Sequence, residues 1–218
     1  MAIDTQTTTN RSLLIFRVLT GLAILGSIVW QVSDRIANGL FRPEEYFSYV
    51  TIQSSLLAGL CMLAGAQQLI TNKPESLKFT LTRLSVTGYA VIVAVVYNLL
   101  LRGVAGDVRD AGYDWPVLPN EILHVWGPVL IVVDWLLTNK GAQVKIKQTA
   151  WVLAYPVLWI GFTVTRGYAS GWWPYPFLDP TKPAGVAGML TYLAIIVVFL
   201  AVTSLVMIGL SKLIHRRG

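Results

Sequence analysis

Six stretches of this 218-residue chain are apolar over enough residues to cross a lipid bilayer as helices. A spanning helix needs about 20 mainly apolar residues, and the alternating pattern of an outer-membrane barrel is absent. Short turn-rich segments separate the stretches, and no long linker or repeat divides the chain. We therefore predict an all-α polytopic membrane protein, in which a single domain, residues 1–218, bundles six transmembrane helices. The predicted spans are residues 13–31, 47–70, 79–101, 120–138, 150–166 and 186–210.

Charged residues make up only 13% of the chain, whereas 55% of its residues are hydrophobic. Soluble globular domains have about 25% charged residues, and disordered chains have even more, so this composition argues against both classes. The single cysteine, Cys61, excludes an internal disulfide and a cysteine-based zinc site. We expect no metal and no cofactor, because the one histidine within a span has no neighbouring histidine or cysteine to complete a ligand set.

The distribution of positive residues predicts the orientation, because lysine and arginine favour the cytoplasmic side of a membrane. Six spans put both termini on one face, and we predict that this face is cytoplasmic; the inverted topology is the alternative. The ten positive residues on that face are Arg11, Lys73, Lys78, Arg83, Lys140, Lys145, Lys147, Lys212, Arg216 and Arg217. The six on the outer face are Arg35, Arg42, Arg102, Arg109, Arg166 and Lys182. The net charge of +6 then reflects topology and contact with anionic lipids, and we expect no nucleic-acid partner.

His124 lies about one turn inside the outer end of the fourth span, whereas the second histidine, His215, belongs to the basic tail. Asn120 is four residues earlier on the same helical face. Pro128 is four residues later and lacks an amide hydrogen, so we expect a kink that leaves the His124 carbonyl free. The ordinary pKa of histidine, about 6.5, suits a general acid or base. A structural histidine hydrogen-bonded between helices is the alternative.

Thr51 lies early in the second span, at a depth similar to that of His124. Ser55 continues the same small-residue face, and small residues let helices pack closely in lipid. A threonine in a span often only bonds the carbonyl one turn back, which is the alternative interpretation. Together, Thr51 and His124 have the parts of a nucleophile and its base.

Further polar residues lie within the spans or at their ends. Arg102, which shares a face with Asn98, and Arg166 end the third and fifth spans. Guanidinium groups there suit a carboxylate or phosphate; membrane-interface placement, or ion pairs with Asp107, Asp110, Asp114 or Asp179, is the alternative. We expect Arg17 to extend to the cytoplasmic interface. Asp134 is about 15 Å along the helix axis from His124, too far to orient it, so we expect another buried polar partner or an interfacial position.

The segment Trp172-Trp173-Pro174-Tyr175-Pro176-Phe177-Leu178 follows the fifth span. Two prolines within an aromatic run do not continue a helix. We predict a rigid, half-apolar outer loop that caps a cavity between helices, or one that belongs to the aromatic belt at the membrane interface.

This loop, a histidine after Asn-x-x-x in the fourth span and a threonine early in the second span resemble the androgen-induced-gene family. Members of that family are multi-span membrane hydrolases that cleave fatty acid esters of hydroxy fatty acids. The resemblance covers nearly the whole chain and implies that Thr51 is the nucleophile and His124 its partner. It also implies a shorter, bacterial six-span relative in the cell membrane. The residues around Thr51 differ from the animal pattern, so the resemblance does not specify the substrate.

The resulting hypothesis is an intramembrane lipid ester hydrolase whose site faces the outer side of the membrane. His124 takes the proton of Thr51, which attacks the ester carbonyl. The alternatives are a transporter and a noncatalytic lipid-binding protein. The candidates for oxyanion donors and substrate contacts are Gln53, Ser55, Asn98, Arg102, Asn120, Arg166 and Tyr175.

Overall fold

Apolar helices that pack side by side form the fold. The computed structural model describes residues 2–104, 107–138 and 144–214, with side chains from residue 11 onward. His215 and the predicted cytoplasmic residues Lys140, Arg216 and Arg217 lie outside this part of the chain. The α-helices are α1 (Ala2–Ala37), α2 (Pro43–Tyr46), α3 (Val50–Ile70), α4 (Leu77–Val96), α5 (Val117–Glu121), α6 (Gly127–Leu137), α7 (Ala154–Ser170) and α8 (Gly185–Ile214). No strand occurs within the described ranges.

The part of the chain that the structure describes also has two π-helical turns and three 3₁₀ helices. The π-turns are Tyr97–Leu101, which continues α4, and Ile122–Trp126, which joins α5 to α6. The 3₁₀ helices are Val108–Asp110, Ile146–Leu153 and Pro176–Leu178. The π-turn after α5 lies where the sequence predicts a kink, four residues ahead of Pro128.

Within the described residues, five helical segments are long and apolar enough to cross a membrane: Arg11–Ala37, Val50–Ile70, Leu77–Leu101, Val117–Leu137 and Gly185–Ile214. They correspond to five of the six predicted spans, and the all-α class of the fold is confirmed. The remaining predicted span, residues 150–166, begins within a 3₁₀ helix and continues into α7, which has 17 residues. A sixth crossing, the single domain and the cytoplasmic position of both termini stay predictions.

Close backbone packing joins α1 to α3. A Cβ added at Gly59 would lie 2.6 Å from the side chain of Leu25, and one at Gly21 would lie 2.9 Å from Leu63. Glycine at both positions lets leucines from the facing helix fill the space that a side chain would occupy, as is common between helices in lipid. This contact positions α3, which begins at the candidate site.

A buried ion network joins α1, α4 and α6. Arg17 Nε donates to Asp134 Oδ1 at 2.6 Å, and Arg17 Nη1 donates to the Gly65 carbonyl of α3 at 3.1 Å. Arg83 Nη2 donates to the other oxygen of Asp134 at 2.5 Å, and its Nη1 to Glu75 at 3.2 Å. The prediction that Arg17 extends to the interface is wrong, because its guanidinium is buried against a carboxylate. Arg83, assigned by sequence to a cytoplasmic face, is buried in the same network.

A cluster of buried side chains fixes the position of the loop after α7. Gly171, with φ of 73°, ends α7 in the left-handed conformation and turns the chain back toward the bundle. Trp159 of α7 packs with Tyr175 and Leu178 of the loop and with Met189 of α8. The loop therefore lies over the ends of α3, α7 and α8.

Candidate active site

Thr51 is the second residue of α3 and is 8% exposed. The residue that precedes the helix, Tyr49, makes no side-chain cap, so the first amides of α3 lack the usual cap partner. The first four amides of any helix have no acceptor within it, and they give its N-terminus a partial positive charge. The Thr51 hydroxyl is thus close to backbone donors suited to a developing negative charge.

An apolar cavity of about 50 Å³ lies beside Thr51. Its walls come from α3, α4, α7 and α8 and from the loop after α7. The lining residues that carry a hydroxyl are Thr51 and four tyrosines, Tyr89, Tyr97, Tyr155 and Tyr175, while most other lining residues are aliphatic or aromatic hydrocarbon. The loop closes one end of the cavity through Tyr175, Phe177 and Leu178, in agreement with the predicted cap.

Tyr175 is 6% exposed, and its hydroxyl faces the start of α3. Burial raises the pKa of Tyr175, and hydrogen bonding with the Thr51 hydroxyl and with the backbone of Thr51 and Val50 opposes that increase only in part. The phenol therefore stays protonated at neutral pH and is able to donate a hydrogen bond. Its ring stacks flat on Phe177 at 5.2 Å and meets the edge of Tyr49 at 5.6 Å, which fixes its orientation.

His124 lies in the π-turn that precedes α6. Its Nδ1 is 2.9 Å from the carbonyl oxygen of Asn120. A carbonyl only accepts hydrogen bonds, so Nδ1 carries the hydrogen and Nε2 of the neutral ring is left as an acceptor. The imidazole stacks on the ring of Tyr97, with 4.1 Å between the ring centres. This tautomer is the one that a general base acting through Nε2 requires.

Tyr97 connects His124 to the cavity. Among the described residues, Tyr97 lines the apolar cavity and His124 does not. The Asn120 side chain donates to the Tyr97 hydroxyl at 2.6 Å, so Asn120 contacts both aromatic rings. The structure thus brings Thr51 to the cavity wall and His124 to the far side of a tyrosine that forms part of that wall.

Two of the remaining sequence candidates, Gln53 and Ser55, lie beside different cavities. Gln53 adjoins the cavity: its side-chain oxygen accepts from Tyr155, which lines it, at 2.9 Å, and its nitrogen donates to the Phe47 carbonyl at 2.7 Å. Ser55 instead lines a second, smaller cavity of about 10 Å³ next to Pro128. The oxyanion role predicted for Gln53 is thus limited by its existing partners.

Arg102 and Arg166, at the ends of their predicted spans, lie outside the apolar cavity, and Nη1 of Arg166 is buried without a hydrogen-bond partner among the described residues. Arg102 is exposed, bonds Asn98 at 2.9 Å and forms an ion pair with Glu121 at 2.9 Å. The Arg166 guanidinium lies 4.3 Å from the ring centre of Trp172. Neither arginine, nor Asn98, lines the apolar cavity in the described part of the chain. Arg102 is held by an ion pair, as the alternative interpretation states, but its partner is Glu121, which sequence reasoning did not consider.

Sequence reasoning missed Tyr89, Tyr97 and Tyr155, which line the cavity. Tyrosines near span ends are typical of the aromatic belt, and that interpretation concealed them. One feature of the sequence points to Tyr97. It adjoins Asn98 and falls near the predicted outer end of its span, at a depth similar to that predicted for His124.

Comparisons of this chain with protein-family models, with curated proteins and with solved structures found no match. The site itself combines a threonine at the uncapped start of a helix, an apolar cavity, a buried tyrosine hydroxyl and a histidine whose Nε2 is an acceptor.

Proposed function

We propose that this chain is an intramembrane lipid ester hydrolase, in which Thr51 is the nucleophile and His124 the general base. One observation carries the proposal: Thr51 lines an apolar cavity at the start of α3, and its hydroxyl lies beside the Tyr175 hydroxyl. The helical bundle buries this cavity among residues suited to an acyl chain. Fatty acid esters of hydroxy fatty acids, implied by the sequence resemblance, are the first substrates to test.

The reaction proceeds in two halves. Thr51 Oγ1 attacks the ester carbonyl while His124 Nε2 takes its proton. The tetrahedral intermediate collapses, the C–O bond to the alcohol breaks, and His124 returns the proton to the leaving alcohol. Water, deprotonated by His124, then attacks the acyl-threonine, and the carboxylic acid leaves as Thr51 regains its proton. The α3 amides and the Tyr175 hydroxyl stabilise the oxyanion in both halves.

The proposal requires His124 to approach Thr51 within about 2.6–3.2 Å or through one water. Tyr97 stacks on the imidazole and forms the cavity wall, so its side chain has to turn, or a water has to bridge past it, when substrate binds. Catalytic hydrogen bonds are often longer in a substrate-free enzyme than in its complexes.

Hydrolysis is tested with the purified chain in detergent micelles, by fluorophosphonate labelling and with short- and long-chain p-nitrophenyl esters. Thr51→Ala is expected to abolish both the labelling and the ester hydrolysis, whereas Thr51→Ser is expected to retain the labelling. His124→Gln is expected to lower the rate of ester hydrolysis by about 10²–10⁴. Thr203→Ala is the matched control, because Thr203 is a buried threonine of α8 outside the cavity. Labelling of Thr51→Ala at the wild-type level would refute the nucleophile assignment.

A second candidate, noncatalytic lipid binding, is favoured by one observation: His124 does not line the cavity that Thr51 lines, within the described residues. In that case a radiolabelled fatty acid binds the wild type and His124→Gln equally, and neither hydrolyses an ester. Long-chain fatty acid binding by the wild type without any labelling of Thr51 would favour this candidate over the hydrolase.

The protein is of the integral membrane type, and we further propose a bacterial cell membrane with the site toward its outer face. The predicted excess of positive residues at the other end of the bundle supports this orientation. The buried Cys61 is the chain's one cysteine, so new single cysteines report the orientation. A membrane-impermeant maleimide added to intact cells is expected to label Ser170→Cys, at the end of α7, and to leave Thr71→Cys, just after α3, unlabelled; the reverse pattern would invert the topology.

A further inference from the structure

A polar cleft of about 200 Å³ lies at the end of the bundle where α1 finishes. We call it the rim cleft. Its walls come from α1, from α2 and the residue that precedes α3, and from the 107–115 segment. Its lining residues are Arg35, Arg42, Glu45, Tyr46, Tyr49, Asp107, Asp110 and Trp115. The rim cleft is larger and more polar than the cavity at Thr51, and the proposed hydrolysis does not use it.

Every acidic residue that lines the rim cleft already has an arginine partner. Arg42 Nη2 bonds both oxygens of Asp110 at 2.8 and 3.0 Å, and Arg42 Nε bonds Glu45 at 3.0 Å. Arg109 bonds Glu45 at 2.8 and 2.9 Å and also pairs with Asp107. The carboxylates of the cleft are therefore satisfied from within the protein and do not call for a cationic ligand.

Arg35 is the exception among the charged residues of the rim cleft. Its guanidinium has no ion pair or hydrogen bond among the described residues, and its Nε is buried without a partner. The rings of Trp115 and Tyr46 flank it, with the guanidinium carbon 3.9 and 5.0 Å from their centres. Aromatic faces hold the cation in place but accept no directed hydrogen bond along its edge. The four N–H groups on Nη1 and Nη2 have no partner among the described residues and thus remain available to a ligand.

One unpartnered acidic atom lies close by in sequence, Asp34 Oδ2, which is buried. Asp34 is not among the residues that line the rim cleft, although its neighbour Arg35 is. Among the charged side chains that line the cleft, the one without a hydrogen-bond or ion-pair partner in the described part of the chain is therefore Arg35.

We propose that the rim cleft binds the carboxylate or phosphate group of an anionic ligand through Arg35. A planar guanidinium makes paired, charge-assisted hydrogen bonds to such oxygen anions, and a partly enclosed cleft strengthens them. Sequence suggests an anion-binding role for Arg102 and Arg166, but Arg102 is held by Glu121. Arg166 stacks on Trp172 and has an unpartnered Nη1, as Arg35 has an unpartnered Nε, but of these three arginines Arg35 is the one that lines the rim cleft.

The position of the rim cleft relates it to the apolar cavity. Tyr49 lines the cleft, and the next two residues, Val50 and Thr51, line the cavity. A lipid that carries an anionic group is therefore able to place that group in the cleft near Arg35 while its chain lies toward Thr51. Binding in the rim cleft does not depend on hydrolysis, and the test measures binding alone.

Isothermal titration calorimetry on the purified chain in a nonionic detergent tests the proposal. The probes are inorganic phosphate, oleate and, as an uncharged match to oleate, oleyl alcohol. Wild type is expected to bind phosphate or oleate, and Arg35→Gln to bind the same probe about tenfold or more weakly, the loss expected for hydrogen bonds to a charged group. Arg102→Gln is the matched control, because it removes an arginine outside the cleft, and it is expected to bind as the wild type does.

Phosphate and oleate distinguish the two sources of the anionic group. Binding of phosphate and oleate indicates a site open to soluble anions, whereas binding of oleate alone, dependent on Arg35, indicates a lipid-borne group. Three results would overturn the proposal. The wild type and Arg35→Gln bind these probes equally, or the wild type binds none of them. The third result is equal affinity for oleate and oleyl alcohol without phosphate binding.

A gain-of-affinity variant covers the case in which Arg35→Gln does not fold. Asp110→Asn removes the ion pair that holds Arg42 Nη2, so the N–H groups of Nη2 become available to the rim cleft while Arg42 Nε stays bonded to Glu45. The variant is expected to bind the anion several-fold more tightly than the wild type, a change that damage to the fold does not produce. If Arg35→Gln is not monodisperse on gel filtration, tighter binding by Asp110→Asn supports the proposal and unchanged or weaker binding overturns it.

Discussion

Asp134 of α6 receives the Nε hydrogen of Arg17 of α1 at 2.6 Å, and each side chain is only 4% exposed. Arg83 of α4 bonds the second oxygen of the same carboxylate and also pairs with Glu75. The two arginines and two carboxylates sum to zero charge. Because unpaired charges within a membrane protein are costly, this neutral network fixes the register of three helices.

Asp134→Asn is expected to destabilise the fold strongly. The substitution leaves Arg17 without an anionic partner and Arg83 with Glu75 alone. Removal of one partner from a buried ion pair costs about 3–5 kcal/mol. Thermal unfolding followed by circular dichroism in detergent measures the loss.

Lys182→Gln is the control for Asp134→Asn. It breaks a pair with Asp179 that is 3.9 Å long and on the surface, and surface pairs contribute about 0–1 kcal/mol. A melting temperature of Asp134→Asn that equals that of Lys182→Gln would show that the network does not stabilise the bundle.

Gly65→Ala is expected to disturb the same network from α3. A Cβ at position 65 would lie 2.9 Å from Nη1 of Arg17, and that arginine cannot move away freely because Asp134 holds it. We expect a loss of about 1–3 kcal/mol, the usual cost of overpacking. The measurement is the same thermal unfolding, compared with Gly26→Ala of α1.

Gly26 has open space where its Cβ would lie. Alanine is a better helix former than glycine by up to about 1 kcal/mol, so Gly26→Ala is expected to be neutral or stabilising. If both alanine variants unfold at the same temperature, Arg17 tolerates the added methyl and the steric argument fails.

The helices were predictable because length and hydropathy alone determine where a chain can cross a membrane. The partners of Asp134 were not, since Arg17 and Arg83 are 117 and 51 residues away and only the packing of α1 and α4 on α6 brings them together. Each arginine viewed along its own helix is a cation near a span end, which favoured an interfacial interpretation for both.

For the candidate site, the sequence predicts a similar depth for Thr51 and His124, near the outer ends of their predicted spans, and this depth stays a prediction. It does not predict which way the two side chains face. A π-turn has more residues per turn than an α-helix, so it changes the face that His124 presents. The rim cleft required tertiary structure, because nothing in sequence distinguishes Arg35 from the ion-paired arginines Arg42 and Arg109.

Gly127→Ala is expected to disrupt the π-turn that carries His124. The amide of Gly127 bonds the Ile122 carbonyl to close the turn, and an added Cβ would lie 2.7 Å from that same oxygen and 3.3 Å from Ile24. We expect a loss of about 1–3 kcal/mol in thermal unfolding and a lower rate of ester hydrolysis, because the imidazole shifts on Tyr97.

Gly209→Ala of α8 is the control for the π-turn, since nothing lies within 4 Å of its added Cβ. It is expected to match the wild type in both measurements. A Gly127→Ala variant with wild-type stability would mean that the helix accommodates the methyl group without the π-turn.

Asp107→Asn is expected to have an effect that depends on pH. Hydrogen bonds from Arg109 lower the pKa of Asp107 to about 2 from its ordinary 3.8. A carboxylate with a lowered folded-state pKa stabilises the fold fully above its ordinary pKa, and this contribution disappears as the pH falls through about 2. The melting temperature of the wild type should therefore exceed that of Asp107→Asn slightly at pH 5 and equal it near pH 2.

The expected difference is small, below about 1 kcal/mol, because Asp107 is partly exposed. Glu44→Gln serves as the comparison, since Glu44 has no ion pair among the described residues. A difference between wild type and Asp107→Asn that is the same at pH 5 and pH 2 would show that the Arg109 pair does not contribute.

Tyr175→Phe is expected to reduce hydrolysis while it preserves the fold. The phenol hydroxyl faces Thr51 and the first amides of α3, whereas the ring is held by Phe177 and Tyr49. If the hydroxyl donates to the oxyanion, its removal lowers kcat by about 10²–10³. Hydrolysis of p-nitrophenyl esters gives kcat, and thermal unfolding is measured in parallel.

Tyr168→Phe, which changes an exposed tyrosine of α7, is the control and is expected to keep the wild-type kcat. A Tyr175→Phe variant with unchanged kcat and unchanged stability would leave the α3 amides as the only oxyanion donors and remove Tyr175 from the mechanism.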